Sequence, residues 1–197
     1  MCIRDRCEGY GLTETSPASI SNSPVGEQIA GSIGMPLPNV NVKILDEDWN
    51  ELPVGEIGEL AVNGPNVMMG YWNNEEATAK VIKNGWFATG DMAHMDEDGS
   101  FYIADRKKDM IIAGGYNIYP REVEDVLYEH PAVQEVAVIG VQDEYRGETV
   151  KAFLVLKEAA SVTEEELSSF CKENMASYKV PKSVSYTHLT LPTTPYV

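Results

Sequence analysis

The sequence predicts an α+β protein in two parts: a β-rich first part of barrel-like strands and, from near Lys108, a small unit of mixed helices and strands. Two observations carry this. In the first part apolar residues alternate, as at Val40, Val42 and Ile44, the period of a strand with one buried face. Beyond the charge run DRKKD at 105–109 helical spacing takes over, at Val123, Val126 and Leu127 and again at Leu167, Phe170 and Cys171.

Taken in order, the strand through Val40 to Ile44 ends in a polar turn at Asp46 to Asn50, and ELAVN at 59–63 begins after the break PVGEIG. A short helix is expected from Glu75 to Ile82, with Asn74 as its cap and Gly85 beyond its end. DMAHMD and SFYIADR, with Asp98 and Gly99 between them, read as a hairpin. The acids Asp96, Glu97 and Asp98 lack the ligand spacing and terminal Glu of a calcium loop, so a turn is the better reading. In the second part Pro120 fits the first turn of a helix that His130-Pro131 stops. Val133 to Val141 and Thr149 to Leu156 read as strands joined by DEYRGE, and Thr163 with Glu166 forms a capping box for the last helix. The whole is a βαββα-like unit, without internal repeats.

The net charge is -16 at pH 7, from 15 Lys and Arg against 31 Asp and Glu. That balance argues against a nucleic-acid partner, whose phosphates need clustered cations, and an anionic ligand must be held locally. The longest apolar runs, such as VAVIGV at 136–141, are too short to span a bilayer. Cys7 and Cys171 show no C-x-x-C spacing and read as ordinary buried thiols, and His94 and His130 are isolated, which favours structural roles. Both ends read as adapter-derived: Ser183 to His188 can be encoded by a DNA element whose reverse complement translates as Met1 to Arg6, and the element resembles a transposon end used in sequencing libraries. Residues 1–6 and 183–197 are therefore left out of the fold expectation, although Val184, Tyr186 and His188 alternate weakly like a strand.

Several short stretches carry chemistry. GYGLTETS at 9–16 sets Tyr10 between Gly9 and Gly11, followed by a hydroxyl at Thr13 and a carboxylate at Glu14. Glycine admits a close ligand, an aromatic offers a flat face, a hydroxyl can bond a phosphate, and a carboxylate is a hard ligand for magnesium. By itself the stretch is better read as a turn. Asp91, in TGD, is a carboxylate able to accept two ribose hydroxyls, Arg106 is a permanent cationic fork, and GGYN at 114–117 is a permissive loop before a helix. Singly these are weak signals, and DRKKD by itself reads as solvated surface.

The ordered series GYGLTETSP, GYW at 70–72, GWFATGD, DRKKDMIIAGGYNIYPREVE and YKVPK at 178–182 resembles the adenylate-forming superfamily of acyl-CoA synthetases, nonribosomal adenylation domains and luciferases. The likeness covers nearly all of Cys7 to Lys182 and is strongest to bacterial long-chain fatty acyl-CoA synthetases. It implies that 7–107 is the end of a large AMP-binding domain and 108–182 a truncated small C-terminal domain. It further implies that Tyr10, flanked by Gly9 and Gly11, packs on adenine, Thr13 contacts the adenylate phosphate, Glu14 holds magnesium, Asp91 binds the ribose and Arg106 the nucleotide. Lys108 falls at the hinge, and Gly114, Gly115 and Tyr116 border the pantetheine tunnel. Relatives often carry Lys where Ile112 stands here. ATP, magnesium and coenzyme A are the implied cofactors and a carboxylic acid, above all a long-chain fatty acid, the implied substrate. The implied setting is cytoplasmic, with peripheral contact at the inner membrane face left open.

The family's upstream phosphate loop and its catalytic lysine have no counterpart in these residues, so the chain alone is expected to be inactive, and Lys179 and Lys182 are not substitutes. Two alternatives stand beside the ligase: a luciferase-like adenylating oxygenase, and a non-catalytic AMP-binding module.

Overall fold

The structure, a computed structural model, describes residues 7–25, 29–158 and 160–187. Met1 to Arg6 and His188 to Val197, most of the sequence read as adapter-derived, lie outside them. The chain divides into two compact units, 1–108 and 109–197.

In the first unit the strands are β1 (Gly9–Tyr10), β2 (Ile20–Ser21), β3 (Ser32–Pro36), β4 (Asn41–Leu45), β5 (Gly58–Asn63), β6 (Ile82–Lys83), β7 (Trp86–Met95) and β8 (Phe101–Arg106). They form one sheet in the order β1-β2-β3-β8-β7-β5-β4, with β6 on β7, and the pairings are antiparallel. The alternation read at Val40 to Ile44 is β4, and its register against β5 pairs Val42 with Val62 and Ile44 with Leu60. Ile20, Ile44, Leu60, Ala93 and Phe101 make the core, each no more than 4% exposed. The helix α1 (Glu75–Val81) is one residue shorter than expected, and Asn74 Oδ1 caps it by accepting from the Ala77 N–H at 3.0 Å. The turn expected there is closed by Asp96, whose Oδ1 accepts from the N–H groups of Asp98 and Ser100. Those hydrogen bonds hold its carboxyl below the usual carboxylate value. Among the described residues no cluster of His, Cys, Asp and Glu could cage a metal ion.

The second unit carries β9 (Ile111–Ala113), β10 (Tyr116–Ile118), α2 (Pro120–Tyr128), β11 (Val133–Asp143), β12 (Gly147–Leu156), α3 (Glu164–Asn174) and β13 (Ser183–Tyr186). The sheet runs β10-β9-β12-β11 with β13 on β12. Pro120 stands in the first turn of α2, and Val123 and Leu127 are buried on one face. In α3 the capping box is present in both directions, Glu166 N–H to Thr163 Oγ1 at 3.2 Å and Thr163 N–H to Glu166 Oε2 at 2.9 Å. Leu127 and Leu167 are each 1% exposed in the shared core, so truncating either to Ala costs about 2–5 kcal/mol.

Three expectations need correction. The strands joined by DEYRGE run further than predicted, leaving only Glu144 to Arg146 as loop, because Asp143 Oδ1 accepts from the N–H groups of Tyr145 and Arg146 and closes the turn tightly. Ser183 to Tyr186, left out of the fold expectation, form β13, parallel to β12, with Val184 packed against the core. Cys7 is exposed rather than buried, with Sγ donating to the Asn22 carbonyl oxygen at 2.6 Å beside the short edge strand β1. Cys171 is buried, which pushes its thiol up and keeps it protonated. His94 stacks on Tyr102 and His130 meets the Phe170 ring edge-on. No helix among the described residues is long and apolar enough to cross a membrane.

Candidate functional site

The stretch Gly9 to Ser16 is folded by its own side chains. After β1, Thr13–Thr15 make a single 3-10 turn. Thr15, fully buried, accepts from the Leu12 N–H at Oγ1 (2.9 Å), and Ser16 leaves the turn in the left-handed region at φ 52°. Gly11 has a steric reason: a Cβ there would lie 1.6 Å from the Pro17 carbonyl oxygen, so only glycine lets the loop fold back over Pro17.

TGD belongs to β7. Thr89 Oγ1 donates to the Leu60 carbonyl oxygen at 2.8 Å and accepts from the Asp91 N–H at 3.2 Å. Antiparallel register then sets Asp91 directly opposite Arg106 on β8. From the far end of the sheet the Tyr10 hydroxyl donates to Asp91 Oδ2 at 2.6 Å, joining residues 81 positions apart. Burial, and next the Asp91 carboxylate it donates to, push the Tyr10 hydroxyl well above the usual tyrosine range, so it stays a donor. Leu12, the run from Thr89 to Asp91, and Arg106 to Lys108 line one cavity of about 510 Å³. Its wall is chemically mixed: one carboxylate with one oxygen already bonded, and three exposed cationic side chains. Such a wall suits a ligand carrying hydroxyls at one end and negative charge at another.

Tyr10, Asp91, Arg106 and Lys108 are thus brought to one place. Thr13 is exposed on the turn that follows Leu12, while the Glu14 carboxylate is engaged by the Tyr71 hydroxyl, which donates to Oε1 at 3.0 Å. Glu14 Oε2 makes no hydrogen bond among the described residues. One open carboxylate oxygen, with no cage of acids around it, fits a magnesium ion that takes its other ligands from phosphate and water. Gly114, Gly115 and Tyr116 belong to the second unit, in the β9–β10 hairpin, with φ of 60° and 84° at the two glycines. Tyr116 is half exposed and stacks on Tyr178 with centroids 4.6 Å apart.

Two residues of the site were missed by sequence reading. Glu59, read only as the start of a strand, accepts from the Gly90 N–H at Oε1 (3.0 Å) and from Lys107 Nζ at Oε2 (2.7 Å), tying TGD to the end of β8. Asn66 donates from Nδ2 to the carbonyl oxygens of Thr15 and Ala18 and to Ser19 Oγ. A charge at a strand start and an asparagine in a loop give no local signal, since their partners lie 31 to 51 residues away.

Residues 2–72 match the family model described as AMP-binding enzyme, and residues 122–195 match the AMP-binding enzyme C-terminal domain. The chain is similar to a long-chain-fatty-acid–CoA ligase of Bacillus subtilis (strain 168), 57% identical over 180 residues, 91% of this chain and 32% of that protein. Among solved structures, ATP-bound MatB from Rhodopseudomonas palustris matches with a TM-score of 0.89 at 39% identity, over 95% of this chain and 38% of that one. O-succinylbenzoate coenzyme A synthetase from Bacillus subtilis, in complex with ATP and magnesium ion, matches with a TM-score of 0.79 at 42% identity, over 92% and 37%. The chain spans about a third of the length of the curated relatives it matches.

Proposed function

The chain belongs to the AMP-binding enzymes, and from that premise we propose that the protein containing it is an acid–thiol ligase. It activates a carboxylic acid with ATP and passes the acyl group to coenzyme A. The observation that carries this is the Tyr10–Asp91 hydrogen bond, which brings the first motif to the ribose-type carboxylate beside Arg106, around one cavity.

A carboxylate resists nucleophiles, so its oxygen first attacks the α-phosphorus of ATP, expelling pyrophosphate and forming an acyl-adenylate. The thiol sulfur then attacks the acyl carbon, AMP leaves with the electron pair, and the thiol proton passes to solvent. This chain contributes positioning and charge rather than a nucleophile. Asp91, with Oδ2 fixed by Tyr10, accepts ribose hydroxyls, and Arg106 opposite it faces the nucleotide's negative charge. Tyr10 supplies the adenine platform and Thr13 a hydroxyl for the α-phosphate. Glu14 would hold magnesium, which neutralises phosphate charge during adenylation. Gly114, Gly115 and Tyr116 border the path of the thiol, and Lys108, the last residue of the first unit, is the hinge residue. A long-chain fatty acid is the preferred substrate, on the strength of 57% identity to a protein of that name. A cytoplasmic setting follows from the need for ATP and coenzyme A.

The test is nucleotide binding to the full-length protein and to its Asp91→Ala variant. AMP is expected to bind the parent and to lose at least tenfold in affinity in the variant. An unchanged AMP dissociation constant sinks the site assignment. Product analysis with palmitate, ATP and coenzyme A then reads the ligase chemistry directly.

A further inference from the structure

The loop from Asn66 to Tyr71 is fastened to the turn that carries Glu14 at three places. Asn66 Nδ2 donates to the Thr15 and Ala18 carbonyl oxygens, both at 3.0 Å, and to Ser19 Oγ at 3.1 Å. The Met68 N–H donates to the Glu14 carbonyl oxygen at 2.8 Å. The Tyr71 hydroxyl reaches Glu14 Oε1 at 3.0 Å. The first two fix the backbone of the turn, and the third fixes the carboxylate itself.

Tyr71 is in turn held from behind. Its N–H donates to Thr78 Oγ1 at 2.9 Å, and Thr78 donates to the Asn74 carbonyl oxygen at 2.8 Å, in the first turn of α1. A Cβ on Gly70, at φ 152°, would lie 2.8 Å from Thr78 Cγ2, so the loop lies directly against that helix. A continuous chain of bonds therefore runs from α1 through Thr78 and Tyr71 to one oxygen of Glu14. The other oxygen is left without a partner among the described residues.

From this geometry we propose that Tyr71 is a positioning residue: it occupies Oε1 of Glu14 and so presents Oε2 in one orientation as the metal ligand. The proposal rests on the reading of Glu14 as the magnesium ligand. Carboxylates that ligate metals are oriented by second hydrogen bonds of this kind, and losing such a bond costs roughly tenfold or more in metal affinity. A phenol suits the task because it donates one proton in one direction and is aimed by a rigid ring.

The experiment is calorimetric titration of magnesium into the full-length protein saturated with a non-hydrolysable ATP analogue, alongside metal-free titration of AMP. The proteins compared are the parent, Tyr71→Phe and Glu14→Gln. The expected result is a magnesium dissociation constant roughly tenfold higher in Tyr71→Phe, with AMP affinity unchanged, and a larger loss in Glu14→Gln. If Glu14→Gln weakens magnesium but Tyr71→Phe does not, the positioning role is wrong while the metal assignment stands. If neither variant alters magnesium binding, Glu14 is not the ligand and the proposal falls with that reading. Equal losses of AMP and magnesium affinity in Tyr71→Phe show a structural role only, which also overturns it.

Discussion

Gly11 and Gly115 stand in loops of similar composition, GYGLTETS in the first unit and GGYN in the second, each pairing glycine with an exposed or half-buried tyrosine. Around Gly11 there is no room: the Pro17 carbonyl oxygen and the Ala18 Cα lie 1.6 and 2.7 Å from where a Cβ would be. Around Gly115 there is nothing within 4 Å, and the glycine is needed because φ is 84° in a two-residue hairpin turn. One loop is pinned by neighbours, with Tyr10 bonded to Asp91, and the other is shaped by its own dihedrals, with Tyr116 held by a ring stack. The same residue type thus serves steric closeness in one place and left-handed backbone in the other.

The largest effect expected from this contrast is that of Gly11→Ala. No side chain can move aside, since the obstructing atoms are backbone, so the loop must shift or unfold. A loss of about 3 kcal/mol or more is expected in denaturant unfolding, together with loss of AMP binding. An alanine at 11 that leaves both unchanged breaks the comparison at its first term.

Second in size is Tyr10→Phe. Deleting a hydrogen bond to a carboxylate costs about 2 kcal/mol. The pH dependence has a definite sign. The Tyr10 hydroxyl lies above its ordinary value of 10.0 in the folded state, so its contribution is fully present below pH 10 and declines above it, where the unfolded chain ionises first. Chemical denaturation followed from pH 8 to 11 is expected to show a steeper alkaline fall in the parent than in Tyr10→Phe. Equal slopes count against the buried Tyr10–Asp91 pair.

The difference between the loops also marks what could be seen in the sequence. Elements closed within about four residues were legible: the Asn74 cap, the Thr163–Glu166 box, Pro120 at a helix start, and the hairpin turn after Asp96. Their hydrogen bonds join near neighbours, so residue type and spacing suffice. The two-residue hairpin at Gly114-Gly115 was visible as a permissive loop for the same reason. The contact of Tyr10 with Asp91 depends on sheet order, since β1 reaches β7 only through β2, β3 and β8. No local pattern records that order, and the family likeness supplied the residues without the bond between them. Glu59 and Asn66 were invisible because they act on partners 31 to 51 residues away. Ser183 to Tyr186 were set aside for their coding pattern, and their strand pairing with β12 is a tertiary fact.

A third prediction tests the open loop. Gly115→Ala meets no atoms and pays only for positive φ in a residue with a Cβ, about 1 kcal/mol. AMP affinity should stay within twofold of the parent, by contrast with Gly11→Ala. If Gly115→Ala proves as damaging as Gly11→Ala, the two glycines do not differ in kind.

The smallest effect lies beside that second loop, at Asp143. Its carboxylate accepts from the N–H groups of Arg146 and Tyr145, and the Arg146 carbonyl oxygen accepts from the Gly114 N–H at 2.9 Å. The β11–β12 turn therefore braces the glycine hairpin through one backbone bond. The Arg146 and Tyr145 amides hold the Asp143 carboxyl below its ordinary value of 3.8. A carboxylate lowered in this way contributes stability that is present above pH 3.8 and is lost as pH falls through its depressed value. Local protection, read by hydrogen exchange at Gly114, Tyr145 and Arg146, should therefore be lower in Asp143→Ala than in the parent at pH 6. The two should converge as the pH is lowered towards 2, while protection at Thr15 in the first unit is the same in both proteins throughout. Protection at Gly114 that ignores Asp143 at every pH would show the hairpin to be held by its dihedrals, its pairing with β12 and the Tyr116–Tyr178 stack without help from the Asp143 turn, which sharpens the contrast with Gly11 instead of blurring it.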